Sequence, residues 1–199
     1  NKTFLITVHP ITSRSSQSNK KLIENILSAI KSIKNAKFIF TASNADNENN
    51  IIMDEIKKFV QSNNDSILIF SLGQLNYFSC LHNCFAVLGN SSSGITEAPS
   101  FKKPTINIGN RQQGRLKSET VIDCKPTKLS IIKAVNHINS IKFKEIIKSS
   151  KNPYDQGKSS DKIFRILNKI DFKKLGNKKF YDINFWNLVC IRKDGKNHK

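Results

Sequence analysis

Arginine is scarce in a chain whose formal charge is +18: of 33 basic residues only Arg14, Arg111, Arg115, Arg165 and Arg192 are arginines. The lysines are spread along the whole chain beside abundant Asn and Ile, the bias of an A/T-rich coding sequence, and aromatic residues are not interleaved with them. A stacking platform with a basic groove needs that interleaving, so no nucleic-acid partner is expected. The rival reading is a basic nucleic-acid-binding module, which would lose affinity steeply with salt and ignore nucleotides. No run of 18 apolar residues is present, which argues against a membrane span. Cysteine is limited to Cys80, Cys84, Cys124 and Cys190. Cys80 and Cys84 lie one helical turn apart and lack the two-residue gap of a zinc knuckle. Reduced, partly buried thiols in a cytoplasmic protein are expected. No second carboxylate pair joins a histidine in a metal or hydrolase constellation, so neither a metal nor a cofactor is expected. The single methionine is Met53 and the chain opens on Asn1 directly before an apolar run. A larger parent protein is the expectation, and nothing at the start resembles a signal peptide.

What the chain does contain is an alternation of patterns. "TFLITVH", "AKFIFTAS", "SILIFS", "FAVLGN", "PTINIG" and "TVIDC" are short apolar runs. Between them, "KKLIENILSAIKSI" sets Leu22, Ile23, Ile26, Leu27, Ile30 and Ile33 on one helical face. "NNIIMDEIKKFVQS" does the same through Ile52, Ile56, Phe59 and Val60, and "QLNYFSCLHNC", "SGITEAPSF" and "LSIIKAVNHINS" complete the helices. Continuously apolar strands suit a sheet covered on both faces, and the helices between them imply right-handed crossovers. The spacing therefore predicts an α/β protein with a Rossmann-like parallel sheet flanked by helices. "SSKNPYDQGKSS" reads as a loop, and "SDKIFRILNKI" as a helix capped by Ser160 or Asp161. The Lys-rich remainder has no assignment.

In such a sheet, ligands lie beyond the carboxyl ends of the strands. Polar residues gather there: His9 after the first run, Asn44 and Asp46 after the second, Gly73 and Tyr77 after the third, "GNSSSG" after the fourth and "GNRQQGR" after the fifth. Ser91, Ser92, Ser93 and Gly94 bridge a strand and a helix, where the first N–H groups lack intrahelical partners and can receive an anion. A helix dipole contributes only about 0.3–1 kcal/mol when exposed. Arg111 can add charge-assisted hydrogen bonds of roughly 1.5–3 kcal/mol each. Together they would form a diphosphate clamp, with plain helix capping as the alternative for the serines. Glu97 has two readings, complement to the helix dipole or acceptor for a ribose diol. His9, whose imidazole can donate to a phosphate oxygen, is the candidate catalytic residue, against the plainer reading of a satisfied loop histidine. His82, His137 and His198 read as structural or surface residues.

"HPIT", "SNAD", "LGQLNY", "GNSSSGITEAPSFKKPTINIGNRQQGR" and "NPYDQGKSSDKI", in this order, resemble the hydrolysing UDP-N-acetylglucosamine 2-epimerases of sialic-acid and legionaminic-acid biosynthesis. The likeness runs from Phe4 to Ile170 and returns in "KKFYDI" at residues 178–183. It implies the C-terminal half of a GT-B two-domain fold, with residues 1–170 as a UDP-binding domain and 171–199 as a tail. It also implies elimination of UDP from a UDP-sugar, UDP-GlcNAc or a diacetamido relative, followed by hydration of the glycal to a free manno-configured sugar. Carried over by position, Ser91, Ser92 and Arg111 would hold the diphosphate and Glu97 the ribose. Tyr77 would lie against uracil, Asn44 would line the phosphate side, and His9 would donate to the leaving group. A missing N-terminal domain would supply catalytic carboxylates, leaving this part inactive alone, and the full-length protein is expected to be a homo-oligomer. A non-hydrolysing epimerase or a GT-B glycosyltransferase half are the near alternatives. "NEN" after Asp46 departs from the family's usual glycine, and the residues after Ile183 have no counterpart.

Overall fold

Six short strands carry the structure, a computed structural model that describes residues 2–11, 16–42, 49–172 and 175–176. They are β1 (Lys2–Thr7), β2 (Ala36–Thr41), β3 (Ser66–Ile69), β4 (Ala86–Gly89), β5 (Thr105–Ile108) and β6 (Val121–Cys124). The helices are α1 (Ser16–Ile30), α2 (Asn49–Gln61), α3 (Gly73–Asn83), α4 (Ser93–Thr96), α5 (Lys128–Ile138), α6 (Ile141–Ser149) and α7 (Ser159–Leu167), with a 3-10 turn at Ala98–Phe101. Every strand pair is parallel and the order is β3-β2-β1-β4-β5-β6. Successive strands are added outward in opposite directions from β1 and from β4, so the strand order reverses between them, which is the topological switch point of a doubly wound sheet.

Both faces of the sheet are covered, as continuous apolar strands require. Phe4, Leu5 and Ile6 all have 0% exposure although neighbouring side chains point to opposite faces. Phe4 and Ile6 join the larger core with Ile23, Ile26 and Ile30 of α1, Ile52 and Ile56 of α2, and Ile131 of α5. Leu5 joins the smaller core with Leu81 of α3, Cys84 just after it and Ala98 of the 3-10 turn. Burying each such side chain stabilises the fold by about 1.5–3 kcal/mol. Phe4 also stacks on Phe38 at 5.8 Å and meets Phe85 edge-on at 5.4 Å.

Two local expectations change. The "IKFKEIIKS" segment is a helix of its own, α6, capped by Ser140 Oγ accepting the Phe143 N–H at 3.2 Å and anchored by buried Phe143. Its many lysines hide the short apolar stripe. Helix α7 starts at least two residues earlier than its expected cap, Ser160 or Asp161, allows. Its cap position is Lys158, in the left-handed region with no side-chain cap bond, and Asp161 lies inside the first turn.

Contacts divide the chain into two compact units, residues 1–156 and 157–199, and α7 belongs to the second. Among the described residues no helix is long and apolar enough to cross a membrane.

Candidate functional site

At the switch point the carboxyl ends of β1 and β4 part and a cavity of about 620 Å³ opens. Its walls include Thr7 at the end of β1 and His9 beyond it, Thr41 of β2, Phe70 to Gly73 beyond β3, Tyr77 of α3, Ser91 to Ser93 and Glu97 beyond β4, and Arg111 beyond β5. Seven residues singled out in the sequence thus share one space: His9, Tyr77, Ser91, Ser92, Ser93, Glu97 and Arg111. Gly94 lies beneath it. A Cβ there would stand 2.7 Å from the Thr105 methyl, and the Gly94 carbonyl accepts from Thr105 Oγ1 at 2.7 Å, so this glycine lets α4 press onto β5. Asn44, Asp46 and the rest of the loop after β2 lie outside the described residues.

The three serines differ in their partners. Ser91 Oγ accepts the Ser93 N–H at 3.4 Å, so it acts as a weak local cap. Ser93 Oγ is hydrogen-bonded to the Tyr77 hydroxyl. Ser92 occupies the cap position of α4 and makes no cap hydrogen bond with its side chain. Capping therefore accounts for one of the three hydroxyls. Helix α4 is a single turn, too short to carry a full macrodipole, so any anion affinity here rests on individual donors and on Arg111. Glu97 closes that turn and opens the 3-10 turn. It therefore lies at the end of α4 and does not complement that helix's N-terminus, and burial holds its carboxyl above the usual 4.5.

Burial pushes the Tyr77 hydroxyl up to about 12, so it stays protonated at every physiological pH and can donate. Beside it, Thr7 Oγ1 and Thr41 Oγ1 lie 2.5 Å apart, the consequence of the Thr7–Thr41 register of β1 and β2. Threonine in a strand reads as β-propensity, so these two lining hydroxyls were passed over in the sequence. Asn90 and Gln112 were missed as well. Asn90 is 1% exposed and Gln112 2%, and Gln112 Nε2 donates to the Asn90 carbonyl at 2.8 Å.

Arg111 turns back over the sheet edge, and its Nη1 donates to the same carbonyl at 3.2 Å. The His9 loop is tied at two points. His9 exchanges backbone hydrogen bonds with the Asn90 amide, and the Ile11 N–H donates to buried Asn19 Oδ1 at 2.9 Å. From behind, Asn152 of the "NPYDQG" loop donates to the Thr96 carbonyl at 2.8 Å and to Ser100 Oγ at 2.7 Å, bracing the serine turn. The described cysteines, Cys80, Cys84 and Cys124, are free thiols away from the cavity walls. Burial pushes Cys84 up to about 11 and Cys124 up to about 12, the reverse of an activated nucleophile.

The whole arrangement is a polar crevice with one guanidinium, one imidazole, one half-buried carboxyl and several hydroxyls. It matches known proteins over most of its length. A family profile of UDP-N-acetylglucosamine 2-epimerases matches residues 1–168. A polysialic acid biosynthesis protein of Escherichia coli is 39% identical over 184 residues, covering 90% of this chain and 46% of that protein. The GDP/UDP-N,N'-diacetylbacillosamine 2-epimerase (hydrolyzing) of Campylobacter jejuni is 40% identical over 144 residues, 71% of this chain and 36% of that one. Among solved structures, the S. aureus MnaA–UDP complex superimposes with a TM-score of 0.68 at 20% identity, covering 92% of this chain and 48% of that one. The chain thus spans less than half the length of these relatives. With that profile running through both the serine turn and Arg111, the chain belongs to the UDP-N-acetylglucosamine 2-epimerase family.

Proposed function

We propose that this chain is the nucleotide-binding, C-terminal part of a hydrolysing UDP-N-acetylglucosamine 2-epimerase. The whole enzyme would eliminate UDP from a UDP-sugar, breaking the C1–O bond and removing the C2 proton, and then add water across the glycal double bond. The product would be free N-acetylmannosamine or a diacetamido analogue. The observation that carries this reading is the convergence of His9, Tyr77, Ser91 to Ser93, Glu97 and Arg111 on one switch-point cavity.

In this reading Arg111 and the amides and hydroxyls of Ser91 to Ser93 hold the diphosphate. Glu97 accepts from the ribose diol, and the Tyr77 ring borders the base. Asn44 would approach the phosphates from the β2 side. His9 donates to the departing diphosphate and stabilises its growing charge. The carboxylates that move the sugar's proton would come from an N-terminal domain. The relatives named as hydrolyzing favour this outcome over retention of the nucleotide-sugar bond.

Titration calorimetry with UDP tests the site. Saturable binding by this chain is expected, and Arg111→Ala should weaken it at least tenfold, about 1.4 kcal/mol. A folded chain with no saturable response would overturn the assignment. With the complete enzyme, NMR of the products separates free sugar from an epimerised UDP-sugar.

A further inference from the structure

We infer that Asn90 is a positioning residue that holds the main chain carrying His9 and the guanidinium of Arg111 in one fixed relation across the switch point. The inference rests on the nucleotide-binding reading given above and deepens it.

Five hydrogen bonds converge on this one residue. Its side-chain Oδ1 accepts the His9 N–H at 2.7 Å, and its Nδ2 donates to the His9 carbonyl at 2.8 Å. Its own N–H donates to the Thr7 carbonyl at 3.2 Å. Its carbonyl accepts from Arg111 Nη1 at 3.2 Å and from Gln112 Nε2 at 2.8 Å. Three chain segments meet here: the end of β1 with its loop, the end of β4, and the loop after β5.

The strands cannot do this alone. β1 and β4 end their ladder at the Thr7–Gly89 pair, and the main chains then diverge to make the crevice. The Asn90 amide presents one acceptor and one donor at the spacing of a peptide group, so it extends the pairing one residue beyond the ladder and holds His9 where the backbone has ceased to. Its main chain leads directly into Ser91, so the serine turn shares the same anchor. Burial strengthens each bond and makes an unpaired partner costly.

The chemistry requires an amide. Aspartate has nearly the same shape but no donor, so it would set a carboxylate oxygen against the His9 carbonyl oxygen at about the 2.8 Å now spanned by Nδ2. The β1 loop would turn away from that repulsion. Tyr77 and Glu97, which border the nucleoside side, are not bonded to Asn90 and should keep their places.

The experiment compares wild type, Asn90→Asp, Asn90→Ser and Arg111→Ala, each titrated with UDP and with uridine by NMR chemical shift. Asn90→Asp and Asn90→Ser are expected to weaken UDP at least tenfold while uridine changes less than twofold. On an Arg111→Ala background, Asn90→Asp should cost less than threefold more, because both act on one clamp. Parallel losses for UDP and uridine would mean a general structural role and would overturn the inference, as would wild-type UDP affinity in either Asn90 variant. Should both variants fail to fold, hydrogen exchange on wild type decides. The His9 amide must be slowed well below the unprotected rate, and rapid exchange refutes the anchor. Failure of the parent reading looks different, since wild type itself would then bind no UDP.

Discussion

Replacing Gly89 by alanine is the sharpest test of how the crevice is built. Gly89 is the last residue of β4, pairs with Thr7 of β1, and has φ of 141°, a region open to glycine almost alone. A Cβ there would stand 2.0 Å from the Thr7 carbonyl oxygen and 2.9 Å from its carbon, so β1 and β4 must separate by roughly 1 Å before any real contact distance is reached. Backbone strain costs about 1–3 kcal/mol. The separation also breaks the bond from the Asn90 N–H to Thr7, leaving buried groups unpaired at about 1–3 kcal/mol each. A total of about 3–9 kcal/mol is a large share of the 5–15 kcal/mol that typically holds a domain together. At about 2–4 °C per kcal/mol for a chain of this size, thermal unfolding followed by circular dichroism should shift down by at least ~6 °C. Gly73→Ala is the control. Its φ of 62° is also left-handed, but nothing lies within 4 Å of the added carbon, so about 1–2 kcal/mol of strain and a shift of a few degrees are expected. If Gly89→Ala melts no lower than Gly73→Ala, the close approach of β1 to β4 is not what shapes this site.

Further expectations concern the cavity walls. Because burial raises the Glu97 carboxyl above 4.5, folding favours its protonated form. That contribution is fully present below 4.5 and is lost as pH rises through the raised native value. Glu97→Gln should therefore flatten the stability profile just above pH 4.5 in urea titrations while weakening UDP, and an unchanged profile would refute the burial argument. Tyr77→Phe keeps the ring but removes the partner of Ser93 Oγ; a loss of about 1 kcal/mol in stability is expected, together with disappearance of a tyrosine that ionises near pH 12 in ultraviolet titration. Cys84 and Cys124, raised by burial to about 11 and about 12, should react with a disulfide reagent at pH 8 only after unfolding, and prompt labelling of either in the folded protein would contradict their environments.

The alternation of apolar runs with amphipathic segments was enough to determine the class of fold, because strands buried on both faces must be apolar throughout while helices need only a stripe. The serine triplet, Glu97 and Arg111 could be singled out because small hydroxyls, a carboxylate and a guanidinium clustered after strands have few structural uses. Asn90 and Gln112 could not, since an amide in a polar segment looks the same whether it faces water or is buried and ties one chain segment to another. Thr7 and Thr41 were masked by their suitability for strands, and α6 by its lysines. Strand order is the deeper omission. Nothing local in "TFLITV" or "FAVLG" says that the first and fourth strands are neighbours, for that pairing is settled by crossover handedness and by which helices can cover which face. Only the assembled sheet places β1 beside β4 and β5 beyond it, and that order brings His9, the serine turn and Arg111 together.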